Sequence, residues 1–518
     1  MPEYLNKTLI SLIPKCIGPE TLSQFRPISL CNTVYKVVTK IIVNRIRPLL
    51  SNLVSPFQAA FVPGRRGVDN VIIAQELIHS LHKKKGRKGQ FILKVDLEKA
   101  YDRLEWSFIR EVLLFFNFPS SWRFLNPLGV LDRVICYLPI YLSSAWNILA
   151  LRSLMLALIR VGNLLKPLGV VLHSLIYFLD DLLLCAEAST SCCHTIARVL
   201  ADFCSHSRQK INLAKSKAFF SPNVTPHMRH HLCDILGVSS TPDLGKYLGF
   251  PLRIHGRNAR DFRFIVEKVQ AKLSSWKSKL LSPAGRVVLI QAVTSAIPAY
   301  YMQNAALPSS ICSELDKLNR NFLWGSSEDR KKMHMVGWDK ICQPKKDGGL
   351  GLYSSKPRNL ALLAKLNWRL IDEKDSLWAK TLLAKYCPSG PLEFKEVLRK
   401  SGSSNWKGLK MGNDVFLKGI RWVVSNGHSV SFWHDIWVGN RALREVIHSP
   451  IPPFEESFCV VDVIEGVGVW DFSKISFTLP KTFVTLLGLL VCAPLAIRRI
   501  ALLGILLMEG LILVRLII

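Results

Sequence analysis

A chain of 518 residues, 49% of them hydrophobic, is long enough for two or three domains and a sizeable core. Its 68 Lys and Arg against 38 Asp and Glu give a formal net charge of +30, more than solubility needs; a polyanionic partner, most simply nucleic acid, stands against the plainer reading of a basic protein with no such partner. Its 13 cysteines include no CxxC pair, so neither a zinc ribbon nor a disulfide framework is indicated and a reducing intracellular compartment fits, and MPEYLNKTLISLIPK has no signal-peptide layout.

The predicted elements begin with a short strand over Thr8–Ile13, followed by helix. FRPISL (Phe25–Leu30) breaks at Pro27, and TVYKVVTKIIVNRIRPLL then places apolar residues at helical spacing. FVPGRRGVDN (Phe61–Asn70) is a Pro/Gly turn carrying Arg65 and Arg66, ahead of a helix pattern over Val71–Leu81. HKKKGRKGQ (His82–Gln90) is a basic loop, FILKVDL alternates as a strand, and Glu105–Phe116 resumes helical periodicity. LIYFLDDLLLCAE reads as two short strands joined at Asp180 and Asp181, a hairpin with acid at its tip.

Cys192, Cys193 and His194 follow; adjacent side chains rarely face one ion, so packing is the preferred reading. Over residues 260–280, Phe262, Ile265, Val266, Val269, Leu273, Trp276 and Leu280 form one helical stripe. Lys268, Lys272 and Lys279 fall off that stripe, as a solvated face or as one that tracks phosphates. Gly285–Arg369 reads as mostly helical, and residues 403–440 as Trp-rich and more strand-like.

Two acidic clusters carry the chemistry: KVDLEKAYDRLEW (Lys94–Trp106), with Asp96, and IYFLDDLLL (Ile176–Leu184), with Asp180 and Asp181. A lone carboxylate inside an apolar strand is expensive to bury. Two adjacent ones repel, and burial without a cation raises the pKa of one of them. A divalent metal removes that penalty and suits hard oxygen ligands.

These clusters, with NKTLISLIPK, FRPISLCNTVYKVVTKIIVNRI, FQAAFVPGRRGVDNVIIAQE, FCSHSRQKINLAKSKAFFS, KYLGFPL, LLSPAGRVVLIQAV, FLWG and RWVVSNGHSVSFWHDIW, resemble in their order the polymerase of plant non-LTR (long interspersed element type) retrotransposons. The likeness covers roughly Leu5–Trp122 and Asn163–Leu479. It implies an α+β right-hand polymerase of fingers, palm and thumb, with a mostly helical C-terminal half. Fingers and palm would span 1–255, with 124–162 degenerate, and a helical thumb or connection 256–400. A small Trp-rich module preceding a zinc-binding-type segment would span 401–480, and an apolar tail 481–518.

The resemblance further implies a reverse transcriptase, an RNA-directed DNA polymerase using two ions of Mg²⁺ or Mn²⁺, with an RNA template, a DNA primer and deoxynucleoside triphosphates as partners, in nucleus or cytoplasm. Asp96, Asp180 and Asp181 carry over as catalytic metal ligands, and Tyr101 as the aromatic beneath the incoming sugar. Arg65 is a candidate for the triphosphate or for a structural role without phosphate, and Lys268, Lys272 and Lys279 are candidate nucleic-acid contacts. Asp102 fits a surface or capping role better than a ligand.

Three departures from the family pattern stand out. FLDD replaces FADD, placing the larger Leu179 beside the acids, and SRQK replaces SGQK, placing Arg208 where glycine is expected. Arg is costly there if the turn needs a positive φ. The second palm motif, an RGLRQGDPLSP-like stretch, is not visible between Trp122 and Asp180.

In its place stands NPLGVLDRVICYLPIYLSSAWN, apolar and without amphipathic period. If the third base of each codon is read with the first two bases of the next, Asn126–Asn147 can encode P-S-R-G-L-R-Q-G-D-L-L-S-P-Y-L-F-I-L-C-M-E, and Trp146 followed by Asn147 forces the final Glu. That is the missing motif in order, with one Leu for Pro, so the segment is expected to be out of frame and upstream residues to be lost. The 84 positions from Asp96 to Asp180, short for the family, agree.

The apolar tail Thr482–Ile518 admits a membrane-anchor reading. Phe483–Ile497, however, offers only 15 residues before Arg498 and Arg499, against the roughly 20 a spanning helix needs. A looser frame-shifted match over Arg499–Ile517 fits the family's next segment, so frameshift is preferred.

The expectation is therefore a reverse transcriptase by ancestry that is inactive as this polypeptide. The alternatives are a non-catalytic nucleic-acid-binding remnant and a tail-anchored membrane protein. KYLGFPL and FLWG set aside an organellar intron maturase. With no endonuclease or ribonuclease H segment found, the chain is expected to be truncated at both ends.

Overall fold

The computed structural model describes residues 8–98, 175–178 and 181–479 apart from short stretches, the longest 388–400, with isolated positions beside them and the pairs 507–508 and 511–512. Two compact units emerge: Met1–Gly256 with Asp372–Lys407, and Arg257–Ile371 with Gly408–Ile518.

In the first unit, β1 (Thr8–Pro14) pairs antiparallel with β2 (Phe25–Cys31). FRPISL is thus a strand despite Pro27. A two-stranded sheet leaves alternate N–H groups unpaired, so a residue without one is tolerated there. Helix α1 (Thr33–Ile46) starts at Asn32, whose side chain accepts from the Val34 N–H at 3.1 Å. Helix α2 (Gly67–His82) covers the predicted Val71–Leu81 and is buried on nearly every side, Asn70, Gln75 and Glu76 together with Val71, Ile72, Ile73, Leu77, Ile78 and Leu81.

The main sheet has the order β4-β5-β3-β6-β7, with β3 (Gln90–Asp96) at its centre. β3 runs antiparallel to β5 (Asp181–Glu187) and to β6 (Lys217–Phe220); β4 (Leu175–Phe178) flanks β5, and β7 (Ser239–Ser240) runs parallel to β6. Side chains alternate across a strand. Phe91, Leu93 and Val95 of β3 accordingly join Leu182, Leu184 and Ala186 of β5 on one face. That face packs on α3 (Thr190–Ser207) and α4 (Pro226–Leu236) through Cys192, Cys193, Ile196, Leu232 and Leu236. Cys192 and Cys193 are core residues. The opposite face carries Ile92, Lys94 and Asp96 beside Cys185, Leu183 and Asp181. A small hairpin, β8 (Lys246–Tyr247) and β9 (Phe250–Pro251), completes this part.

In the second unit, α5 (Arg263–Leu273) buries Ile265, Val266 and Val269 as predicted. The predicted stripe extended to Leu280, but the helix ends at Leu273 and Leu280 is 76% exposed; Trp276 and Lys279 lie outside the described residues. Helices α6 (Pro283–Leu289), α7 (Ala296–Met302), α8 (Ser309–Trp324) and α9 (Ser355–Asp372) follow. FLWG is the end of α8: Gly325 has φ +71, the left-handed conformation glycine adopts without strain.

Further along, α10 (Leu377–Tyr386) belongs to the first unit, where it packs against α2. The strand-like reading of residues 403–440 is corrected at its start: Ser404–Gly419 is a helix, α11, with Trp406, Leu409 and Phe416 buried at helical spacing. Past it, Phe432, Trp433 and Trp437 gather Val460, Val463, Ile475 and Leu479 into one cluster, and the Trp433 indole donates to the Glu455 carbonyl at 2.8 Å. Among the described residues no helix is long and apolar enough to cross a membrane. The tail 485–506, read as anchor or frameshift, lies outside them.

Candidate active site

Asp96 closes β3 and Asp181 opens β5, and the two are direct partners in the antiparallel register. Directly opposed residues have Cβ atoms about 4.5–5.5 Å apart on the same face. The pair therefore sits at the strand ends on the sheet face opposite Val95 and Leu182; Ile92 and Leu183 of this second face are buried as well, while Asp96 and Asp181 are half-buried. Burial raises the Asp181 carboxyl above its ordinary range; the Lys94 charge opposes the rise and the Asp96 charge adds to it.

The backbone of Asp96 is fixed from the segment after α3. Its N–H donates to the Ser216 hydroxyl at 3.1 Å, and its carbonyl accepts from the Asn212 N–H at 2.8 Å. Ser216, fully buried, in turn donates to the Asn212 carbonyl at 2.8 Å. SRQKINLAKSK thus holds the strand end that presents the acid. Arg208, in that segment, has φ 57 and ψ 13 and caps α3: the turn does need a left-handed residue.

On the same face, two residues before Asp96, the Lys94 ammonium donates to the Lys246 carbonyl at 2.6 Å. This ties the KYLGFPL hairpin to the sheet. Tyr247 in that hairpin is fully buried; burial, with the Asp181 charge behind it, pushes its phenol up, against the opposing effect of the Asn70 side chain. From α2, Gln75 donates to the Pro251 carbonyl at 2.8 Å.

Asp180, Tyr101, Lys279, Leu179 and Asp102 lie outside the described residues. Arg65 is half-buried and donates to the carbonyls of Gln58 at 2.8 Å and Ser51 at 3.4 Å. In the second unit, Lys268 donates to the Tyr301 hydroxyl at 2.8 Å and lies over the Phe264 and Tyr301 rings. Lys272 is exposed on α5.

Among the described residues no three acids, histidines or cysteines gather around one point. The Asp96–Asp181 pair nonetheless fits a hard cation: both donors are carboxylate oxygens, they face each other, and mutual repulsion with burial disfavours their joint ionisation without one. Lys94, Asn70, Ser216 and Tyr247 were not singled out from the sequence. Period-two alternation puts Lys94 on the face of Asp96, a signal that could have found it; nothing local marks the other three.

Residues 13–252 match the family described as reverse transcriptase (RNA-dependent DNA polymerase). The chain is 41% identical over 221 residues to the Arabidopsis thaliana protein named "Putative ribonuclease H protein", covering 42% of this chain and 36% of that one. It is 30% identical over 160 residues to an uncharacterized mitochondrial protein of the same plant, covering 30% of this chain and 98% of the relative. It is also 25% identical over 389 residues to an uncharacterized 149 kDa protein of transposon TX1 from Xenopus laevis, covering 68% of this chain and 28% of that protein. The chain therefore spans about a third of the ribonuclease H-named relative and less of the transposon protein.

Proposed function

Since the chain belongs to the reverse transcriptase (RNA-dependent DNA polymerase) family, of the non-LTR retrotransposon type, we propose that it carries the core of an enzyme extending a DNA primer on an RNA template, and that this polypeptide has lost the activity. In this reading the five-stranded sheet is the palm, β1, β2, α1 and α2 belong to the fingers, and α5 to α9 form the thumb or connection. Residues 401–480 form the Trp-rich module.

The observation that carries the reading is the register of Asp96 against Asp181. Asp96 and Asp181, with Asp180 by the family resemblance, would hold the divalent ions. Bound there, Mg²⁺ or Mn²⁺ supplies charge neutralisation on the triphosphate and a more acidic primer hydroxyl. The chain's own part is positional. Ser216 and Asn212 fix the end of β3, so the Asp96 carboxylate is presented at a set height beside Asp181. The role of the aromatic beneath the incoming sugar falls to Tyr101 by the family resemblance alone. Arg65, bound to two carbonyls, shapes the turn before α2 and supports the structural one of its two roles.

Loss of activity follows from the out-of-frame segment Asn126–Asn147. The second palm motif lines the nucleotide and template pocket, and misplacing reacting groups by about 1 Å costs around a hundredfold in rate. The test pairs Mn²⁺ binding, followed by electron paramagnetic resonance, with primer extension. Saturable Mn²⁺ binding that Asp96→Asn and Asp181→Asn abolish is expected, with no extension in Mg²⁺ or Mn²⁺. Restoring the frame and the lost upstream residues should recover synthesis. Robust extension by the unrepaired chain would overturn the inactivity, and Mn²⁺ binding indifferent to both substitutions would overturn the site. The +30 charge supports a second reading, a nucleic-acid-binding remnant, which salt-dependent RNA binding without extension would favour.

A further inference from the structure

We infer that Lys94 is a positioning residue with two ends of influence: its ammonium locks the Lys246–Pro251 hairpin onto the carboxylate face of the sheet, and its charge holds Asp96 and Asp181 together before a divalent cation binds. The second half rests on the reading of the acid pair as a metal site.

Alternation fixes the starting point. Val95 points into the core at 1% exposure, so Lys94 and Asp96 share the other face. Lys94 pairs with Leu183, which makes it the diagonal neighbour of Asp181, about 7–8 Å across the ladder and within reach of a long side chain. For packing alone an aliphatic residue would serve at this half-buried position. A cation is what two opposed carboxylates require, and the register sets Lys94 on their face, one diagonal step from Asp181.

The other end of the side chain is occupied too. At 2.6 Å from the Lys246 carbonyl, the ammonium makes a charge-assisted hydrogen bond, among the stronger kinds. The hairpin it holds is unusual. Its two turn residues, Leu248 at φ 50 and Gly249 at φ 80, are both left-handed, and a non-glycine residue persists there only when its surroundings over-determine it. Those surroundings are the buried Tyr247 and Phe250, the Gln75 bond to Pro251, the closing bond from the Leu252 N–H to the Gly245 carbonyl at 2.9 Å, and Lys94. Of these ties, only the one from Lys94 also brings charge to the acid pair.

The experiment uses the full chain and its Lys94→Gln and Lys94→Arg variants, with two readouts: hydrogen exchange at the Leu252 amide, and Mn²⁺ affinity by electron paramagnetic resonance. Lys94→Gln should lower Leu252 protection about tenfold, by loss of a charged hydrogen bond. It should also tighten Mn²⁺ binding about tenfold, because a competing positive charge has gone. Lys94→Arg should restore both. A lysine with a merely structural role would loosen the hairpin while leaving Mn²⁺ binding unchanged or weaker, and that result overturns the charge half. Undiminished protection in Lys94→Gln overturns the tether. If the unaltered chain binds no Mn²⁺, the metal-site reading and the charge half fall together, and the exchange measurement still decides the tether.

Discussion

Glu76, fully buried within α2, accepts a hydrogen bond at 2.8 Å from Lys385, a residue 309 positions downstream in α10. Tyr386 donates to the same carboxylate at 3.0 Å and Asn405 at 3.2 Å, and Ser403 completes the set. Tyr386 stacks on Trp406 with ring centroids 4.3 Å apart, and at the start of α2 Arg66 lies 3.7 Å from Glu373. The helix that follows the arginine turn is therefore held along its length by a segment remote in sequence. Removing one partner of a buried pair strands the other charge and typically costs about 3–5 kcal/mol, whereas replacing both by apolar residues costs much less. Lys385→Met should lower unfolding free energy in urea by roughly that amount, and adding Glu76→Gln, which removes the stranded charge but keeps an acceptor for Tyr386, Asn405 and Ser403, should recover much of it. A loss below about 1 kcal/mol in the single variant would place this pair with surface ion pairs.

His79 gives the same cluster a pH dependence. The Lys385 ammonium donates to its Nδ1 at 3.1 Å, which requires the neutral imidazole. Burial, and next the Lys385 charge, pull its pKa from 6.5 down to about 4. The unfolded chain takes up a proton near 6.5 and the folded chain does not, so the contribution is present above 6.5 and is lost as pH falls toward about 4. Unfolding free energy should decline across that window, and His79→Gln should flatten the decline. An identical slope in the variant would show that other groups carry it.

Arg208→Gly should stabilise the chain. At φ 57 a side chain bears a penalty that glycine escapes, and the gain should be about 1 kcal/mol, read as a raised urea midpoint with unchanged slope. A destabilised variant would mean that contacts of the Arg208 side chain outweigh the strain.

Lys268 and Lys272 should separate in nucleic-acid binding. The Lys268 ammonium is engaged by Tyr301 and by two aromatic faces, so Lys268→Ala should weaken the second unit without changing the salt dependence of RNA affinity. Lys272 is exposed, and Lys272→Ala should flatten the slope of log K against log salt by about 0.7–0.9 if it meets one phosphate. An unaltered slope would assign Lys272 to a solvated face.

What was legible in the sequence is what depends on local period. Alternation in FILKVDL separated Val95 from Asp96, apolar runs on either side of the acids gave the β4–β5 hairpin, and helical spacing gave α2 and the buried stripe of α5. The glycine expected where Arg208 stands pointed to a left-handed turn, which φ 57 bears out. Local pattern misled where context overrides it: Pro27 sits in a strand because a two-stranded sheet tolerates a missing donor, and the start of the Trp-rich stretch became α11 because Trp406, Leu409 and Phe416 share a helical face. Only tertiary structure decided which groups meet. The Lys94 bond to Lys246 spans 152 positions and the Glu76–Lys385 pair 309, and the Tyr301 hydroxyl that accepts from Lys268 lies 33 positions away on another helix. A polar side chain's partner is set by whichever segment packs beside it, and a sequence records the donor and the acceptor without recording that the fold brings them within three ångströms.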